Sequence, residues 1–329
     1  MKKYILAIVS LVCTAHTAWA QCCSGGVPMS GNVGLPASDA GSWQWMLSYD
    51  VNVLRTLKDA NNTLDDDTRE RLTRSWLFQM GYAISSRWAL DAFFSYVRQE
   101  RTIQQIGFSE NFTFTQGIGD ATILVKFKAA TLNEGKGEWW VAAGPKVPLG
   151  ASDLTDDRGI ALIADLQPGS GAWDGVLWTQ FSHQINWRPS LSFSSRIIAR
   201  LTGKNNNYLG SQVYEFGDEG QVMASLSDQV LLGRLLLNPG VTFRLRHAGR
   251  DRTNGEFVPN SGGTFLFAAP SLGFQLTPDL SLQSRVDVPV YAQVDGTQLA
   301  PTYRVNVGIL FQLNRTKQFS PEITPLFEE

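Results

Sequence analysis

The amino-acid sequence predicts an all-β chain, a transmembrane antiparallel up-and-down β-barrel of about twelve strands. Three observations predict it. Apolar and polar side chains alternate in about twelve segments between Trp43 and Leu313, short and long connections take turns along the chain, and the start reads as an export signal. In a strand, successive side chains point to opposite faces, so strict alternation writes one apolar and one polar face.

The amino terminus comes first. Lys2-Lys3 precede an apolar run from Tyr4 to Cys13, and the small-x-small site Ala18-Trp19-Ala20 follows. Residues 1–20 read as a cleavable secretory signal peptide. No later stretch approaches the length of apolar residues that a spanning helix needs, so a membrane location requires strands. Lipidation at Cys22 is the competing reading, and the bulky Gln21 before it fits a lipidation site poorly. Residues 21–42 are expected to be a periplasmic amino-terminal segment, and 314–329 a polar tail.

The barrel is assigned to 43–313. In the first strand Trp43, Trp45, Leu47, Tyr49, Val51 and Val53 share one parity, against Gln44, Ser48, Asp50 and Asn52. The last repeats the pattern, with Tyr303, Val305, Val307, Ile309, Phe311 and Leu313 against Thr302, Arg304, Asn306 and Gln312. Between them, strands are predicted near 70–85, 87–101, 117–129, 138–149, 172–186, 189–202, 211–226, 229–247, 263–276 and 279–293. Tight turns fall at Ser85-Ser86, Asn186 to Pro189, Ser227-Asp228 and Thr277 to Asp279, with a slightly longer one from Thr131 to Gly137. Long polar loops are expected at 58–69, 102–116, 150–171, 203–210, 248–262 and 294–299. Such alternation fits a barrel whose short turns face the periplasm and whose long loops face outward. A secreted β-sandwich would also alternate in hydropathy. Against it, Trp43, Trp45, Trp76, Trp88, Trp139, Trp140, Trp173 and Trp187 all fall near predicted strand ends, where indole rings suit the headgroup level.

Composition agrees. The chain is 43% hydrophobic and 18% charged, lean against the roughly 25% charge usual in soluble domains. Its net charge of −2 becomes more negative once Lys2 and Lys3 are removed, which argues against nucleic acid as a partner. No linker or internal repeat divides the chain, and a barrel accommodates its length by adding wall strands.

Placing each apolar face against lipid turns the other parity inward, and that parity holds most of the strand charges: Asp50, Asp91, Asp120, Lys126, Lys128, Lys146, Arg196, Arg200, Arg244, Arg246, Arg285, Asp287 and Arg304, with Asp174 and Gln293 beside them. A cation facing lipid at mid-membrane costs roughly 2–4 kcal/mol, so the inward assignment is the favourable one. These residues are the candidate lumen lining. Two roles are open for them: a basic channel wall that favours anionic or dipolar solutes, and a ladder of ion pairs that fills and rigidifies a small barrel. Trp178, Phe265 and Phe267 form a candidate inward apolar patch.

Three stretches carry a family resemblance: Gly117-Ile118-Gly119-Asp120-Ala121, Gly144-Pro145-Lys146-Val147-Pro148-Leu149-Gly150, and Gln167-Pro168-Gly169-Ser170-Gly171-Ala172-Trp173-Asp174. Together they resemble the outer-membrane barrel transporters labelled as a MetA pathway of phenol degradation. The resemblance implies an outer-membrane location and passage of small, often hydrophobic or aromatic, compounds. It transfers no ligand residue. The polar tail after Leu313 departs from barrels that end on an aromatic residue, leaving Phe311 or Phe327 to serve as the assembly signal.

Other chemistry finds little support. The adjacent Cys22 and Cys23 suit a disulfide better than a metal site, since Met29 is the nearest further soft ligand. Twelve-stranded outer-membrane phospholipases use a Ser–His pair, but no nucleophile motif accompanies His183 or His247. The acidic stretch Asp59, Asp65, Asp66 and Asp67 misses the calcium-loop pattern. The sequence therefore reads as a non-enzymatic outer-membrane channel that needs no cofactor and no metal. Its expected partners are a small-molecule solute, outer-membrane lipid and, during biogenesis, the barrel-assembly machinery. The alternatives are a non-conducting structural or adhesive barrel and, less favoured, a barrel lipid hydrolase.

Overall fold

The computed structural model describes residues 40–104, 111–233 and 235–313. The expected signal peptide, nearly all of the amino-terminal segment with Cys22 and Cys23, and the polar tail with Phe327 lie outside the described residues. Twelve antiparallel strands form the wall: β1 Trp43–Asp59, β2 Arg69–Ala83, β3 Trp88–Ile103, β4 in two pieces Asn111–Ile118 and Ala121–Leu132, β5 Gly137–Val147, β6 Asp174–Ile185, β7 Arg188–Leu201, β8 Glu219–Ser227, β9 Leu235–Ala248, β10 Gly263–Thr277, β11 Leu280–Val294 and β12 Thr297–Leu313. Each pairs with its sequence neighbours, and β1 pairs with β12 from Trp43↔Leu313 to Asp59↔Thr297. The sheet therefore closes on itself, the up-and-down arrangement in which wall backbone groups pair strand to strand rather than with water.

The two parities separate as the alternation requires. On β1, Gln44, Ser48 and Asp50 are buried inside, while Leu47 is 47% exposed on the outer wall. Around the barrel Trp76, Phe94, Val125, Leu177, Ile197, Phe243, Val286 and Ile309 continue that outward apolar belt. A belt this extensive on a folded monomer is stable only against hydrocarbon. Trp76, Trp88, Trp139, Trp173 and Trp187 face outward with large exposure. Trp140 does not join them; it is 4% exposed, packed inside the barrel beneath Lys126 and Lys128.

Four sequence expectations need correction. Residues 111–116, expected in a loop, are strand and with 117–118 extend β4 against β3, because Phe112, Phe114 and Ile118 alternate with Thr113, Thr115 and Gly117 across the pair. The expected strand 211–226 is two elements. Gln212–Glu215 leaves the wall for a small outer sheet with Lys204–Tyr208, Arg252–Thr253 and Glu256–Phe257, and only 219–227 joins the barrel. The connection at 294–299 is a tight turn at Asp295-Gly296 rather than a long loop. Gln293 points outward, because a bulge near Pro289 puts both Val290 and Tyr291 on the outer face and reverses the parity beyond it.

A second irregularity sits in β4. The outward residues are even-numbered through Ile118 and odd-numbered from Ile123, so the break at Gly119-Asp120 reverses the parity and turns Asp120 into the barrel. The Gly119 amide still donates to the Ser95 carbonyl, at 2.8 Å, which holds the two pieces in one strand.

Candidate functional site

The wall strands position an interior of charged and aromatic side chains. Short turns mark one barrel end and, by the usual rule, the periplasmic side; residues 148–173 and the small outer sheet lie at the other.

Near the outer end an arc of alternating charge crosses six adjacent strands. The Lys146 ammonium is 2.6 Å from Asp120 and 3.1 Å from Asp174. Arg200 lies 3.9 Å from Asp174 and 3.4 Å from Glu219, and Arg246 meets Glu219 at 2.9 Å. Cross-strand register explains the arc, since Lys146 faces Asp174 and Glu219 faces Arg200 in neighbouring strands. A second arc lies on the facing wall. Asp287 binds Arg244 at 2.5 Å and Arg285 at 2.7 Å, and Arg304 binds Asp50 at 2.8 Å with the Asn306 amide donating to the same carboxylate at 3.2 Å. On the remaining wall Lys126 pairs with Asp91 at 3.3 Å, and Lys128 with Glu138 at 2.6 Å. The thirteen candidate lining residues stand on the inward parity of their strands, and twelve of them take part in the pairs just given. Buried charges are tolerated only when compensated in this way.

Aromatic faces hold many of the same cations. Lys126 lies over Trp140 and Trp178, at 5.7 and 5.2 Å, and Arg196 over Trp178 at 5.8 Å. Opposite, Arg244 lies 4.1 Å from the Phe267 ring and Arg246 5.8 Å from Phe265. Trp178 belongs to a buried cluster with Phe93, Leu124, Trp140, Val176, Ile198 and Met223, so one side of the interior is apolar. The inward patch of Trp178, Phe265 and Phe267 is therefore divided between two walls.

Toward the short-turn end the interior opens into a cavity of about 320 Å³. Ser227, Thr242, Ser271, Ser281 and Ser284 line it with Asn238, Gln283 and Asn306, and its charged lining residues are Arg196 and Arg285. Among the described residues no carboxylate lines it. Arg196 donates to the Gln180 side-chain oxygen at 2.6 and 2.9 Å, which fixes the guanidinium at the cavity wall.

At the other end a segment enters the barrel. Leu166 and Gln167, on the short turn Ala164–Leu166 and just after it, are 1% exposed. The Arg71 guanidinium donates to the Asp165 carbonyl and to Gln99, and lies 3.5 Å from the Asp165 carboxylate. Gln99 donates to the Gln167 carbonyl at 3.0 Å, and the Thr115 hydroxyl donates to the Leu166 carbonyl. The Gln167 side chain meanwhile bridges Leu154 and Leu162 like an extra peptide unit, holding the loop compact.

The three stretches singled out in the sequence meet at the root of this segment. Asp120 accepts from Lys146, from the Ser170 amide at 3.0 Å, from the Ser170 hydroxyl at 2.8 Å and from the Gly150 amide at 3.2 Å. Gly150 and Gly169 bring their backbones so close that a β-carbon on either would fall within 2.8 Å of the other's main chain. The motifs therefore form one clasp that seats the loop.

Sequence reasoning missed Arg71, Gln99, Glu138, Glu219 and Asp165. The first four sit on the inward parity of their strands and were reachable by the same alternation rule. Asp165 had no such signal, because its burial depends on a loop fold. His183 and His247 both lie on the outward parity; His183 stacks on Phe181, and His247 is 2.9 Å from the Thr264 hydroxyl. Among the described residues no group of three or more His, Cys, Asp or Glu is placed to hold a metal ion.

No protein-family model matches the chain, and no curated protein matches it. Among solved structures, an outer-membrane channel from Pseudomonas putida F1 is similar with a TM-score of 0.66 and 13% identity, covering 84% of this chain and 97% of that one. The β domain of the Bordetella autotransporter BrkA gives 0.48 at 9% identity over 83% and 100%, and the transport unit of the Escherichia coli autotransporter AIDA-I gives 0.45 at 10% over 84% and 92%. The fold is that of an outer-membrane β-barrel. With its hydrocarbon-facing belt, the chain is an outer-membrane protein.

Proposed function

We propose that the barrel is a channel for small organic anions, with aromatic carboxylates as the best-fitting class. The observation that carries this reading is the cavity on the short-turn side, whose lining joins Arg196 and Arg285 to a wall of hydroxyls and amides without an acid. Arg285 is also held by Asp287 at 2.7 Å, and the two guanidiniums border the space where a solute has room. Fixed guanidiniums in a polar pocket favour carboxylate entry. Trp178 lies buried behind Arg196 and braces its guanidinium; that the anion carries an aromatic ring is what the family resemblance implies. A twelve-stranded wall leaves a narrow path, which suits one class of small solute better than general diffusion. The reading involves no catalytic step.

The buried turn at Asp165 to Gln167 favours a second reading, a barrel held shut by its own loop. Planar-bilayer recording separates the two. Under a salt gradient the channel reading expects discrete openings, a reversal potential of anion-selective sign, and a fall in chloride current on adding benzoate. A folded barrel that stays silent supports the shut form. Cation selectivity would refute the anion reading.

A further inference from the structure

The outer wall carries a polar site that neither the interior path nor the apolar belt explains. On the outward face of β2 and β3, Trp76 stands opposite Tyr96, and one rung nearer the outer end Arg74 stands opposite Arg98. Two like charges directly across a strand pair repel. A single carboxylate, Glu100, bridges them at 2.6 and 2.7 Å, so two guanidiniums share one negative charge. Both remain well exposed, at 38% and 43%, and so keep donors free to point outward.

Their height matters. Aromatic side chains facing outward mark the boundary between hydrocarbon and headgroups, and the arginines lie one rung beyond the Trp76–Tyr96 pair. On the adjoining strand Phe114 lies opposite Glu100 and Phe112 opposite Thr102, both about half exposed. Their rings stack at 6.1 Å, and Arg98 lies 5.2 Å from the Phe114 ring. The outer surface thus offers a paired-guanidinium seat beside an aromatic shelf. Guanidinium pairs match phosphate oxygens bidentately, and aromatic faces suit the C–H side of a sugar ring.

We infer that Arg74 and Arg98 bind a phosphate of an outer-leaflet phosphorylated glycolipid, with Phe112 and Phe114 against its sugar. The site rests on the outer-membrane orientation but not on solute passage, so it stands even if the barrel does not conduct.

The test is native mass spectrometry of the full, folded protein released from nanodiscs containing diphosphoryl lipid A, the same lipid A after phosphatase treatment, or phosphatidylglycerol. The wild type should retain diphosphoryl lipid A about tenfold more than either alternative, and Arg74→Gln/Arg98→Gln should lose that preference. Heat-modifiable gel mobility checks that the variant is folded. Should it fail to fold, the wild-type comparison between phosphorylated and dephosphorylated lipid A decides alone. Equal retention of the two, stronger retention of phosphatidylglycerol, or undiminished retention by a folded variant would overturn the inference.

Discussion

Lys146 and Asp120 face each other at 2.6 Å in the interior, each at most 1% exposed, although they come from different strands and the second is turned inward only by a break in β4. Asp174 holds the same ammonium at 3.1 Å. Lys146→Met should therefore leave two buried carboxylates without their shared cation. We expect a loss of about 3–5 kcal/mol, the range for breaking a buried pair from one side. Ser170→Ala, which removes one hydroxyl from the same carboxylate, should cost only about 1 kcal/mol. Urea unfolding in lipid vesicles, followed by tryptophan emission, orders the variants; similar midpoints for both would contradict the central role of Lys146.

The contact between Gly150 and Gly169 can be tested without touching charge. A β-carbon on Gly150 would come 2.7 Å from the Ile118 carbonyl oxygen and 2.7 Å from the Gly169 α-carbon, both main-chain atoms that cannot swing aside. Gly150→Ala should weaken the seating of residues 148–173 by about 1–3 kcal/mol. Faster cleavage in that segment by an externally added protease is the readout. Gly220→Ala, where nothing lies within 4 Å of the new carbon, should cleave at the parent rate.

How much of this was legible in the sequence follows from what each feature depends on. Wall strands and their inward face depend on a period of two, so Asp50, Lys126 and Arg304 could be placed by parity alone. Bulges break that rule locally. Gln293 was misplaced because one extra residue near Pro289 reverses the face, and no composition signal marks it. Residues 212–215 have the β-favouring side chains of a wall strand, Val213 and Tyr214, yet pair in the outer sheet, where Tyr214 packs on Tyr208 and Phe216. Such partner choice is tertiary. The clasp was visible as three motifs but not as one site, because the contacts joining them span up to 50 residues.

The inserted turn gives a functional prediction. Arg71 holds Asp165, and both are at most 4% exposed. Arg71→Gln removes the cation while leaving the Asp165 carboxylate buried, which favours withdrawal of the turn toward water. If the turn gates the interior, a shift of about 1–3 kcal/mol raises the open population roughly five- to 150-fold from a small starting value. Single-channel recording should show more frequent openings than in the parent. An unchanged record would mean that the turn does not obstruct the path.

Outside the membrane span, Asp251 is expected to make the outer sheet sensitive to pH. Its carboxylate accepts from the Tyr214 hydroxyl at 2.7 Å and the Gly217 amide at 2.8 Å, but burial dominates and pushes its pKa above the ordinary 3.8. Burial and then the nearby Asp251 charge push the Tyr214 hydroxyl up as well. For a carboxylate raised on folding, the folded state favours the proton. Its stabilising contribution is full below the unfolded value and disappears as pH rises through the folded one. The sheet formed by Lys204–Tyr208, Gln212–Glu215, Arg252–Thr253 and Glu256–Phe257 should therefore loosen with rising pH in the window beginning above 3.8. Asp251→Asn cannot titrate, so its protection should be flat across that window. Amide hydrogen exchange in 204–217 and 251–258, corrected for intrinsic rates, measures both; the same slope in parent and variant would assign the sensitivity to another group.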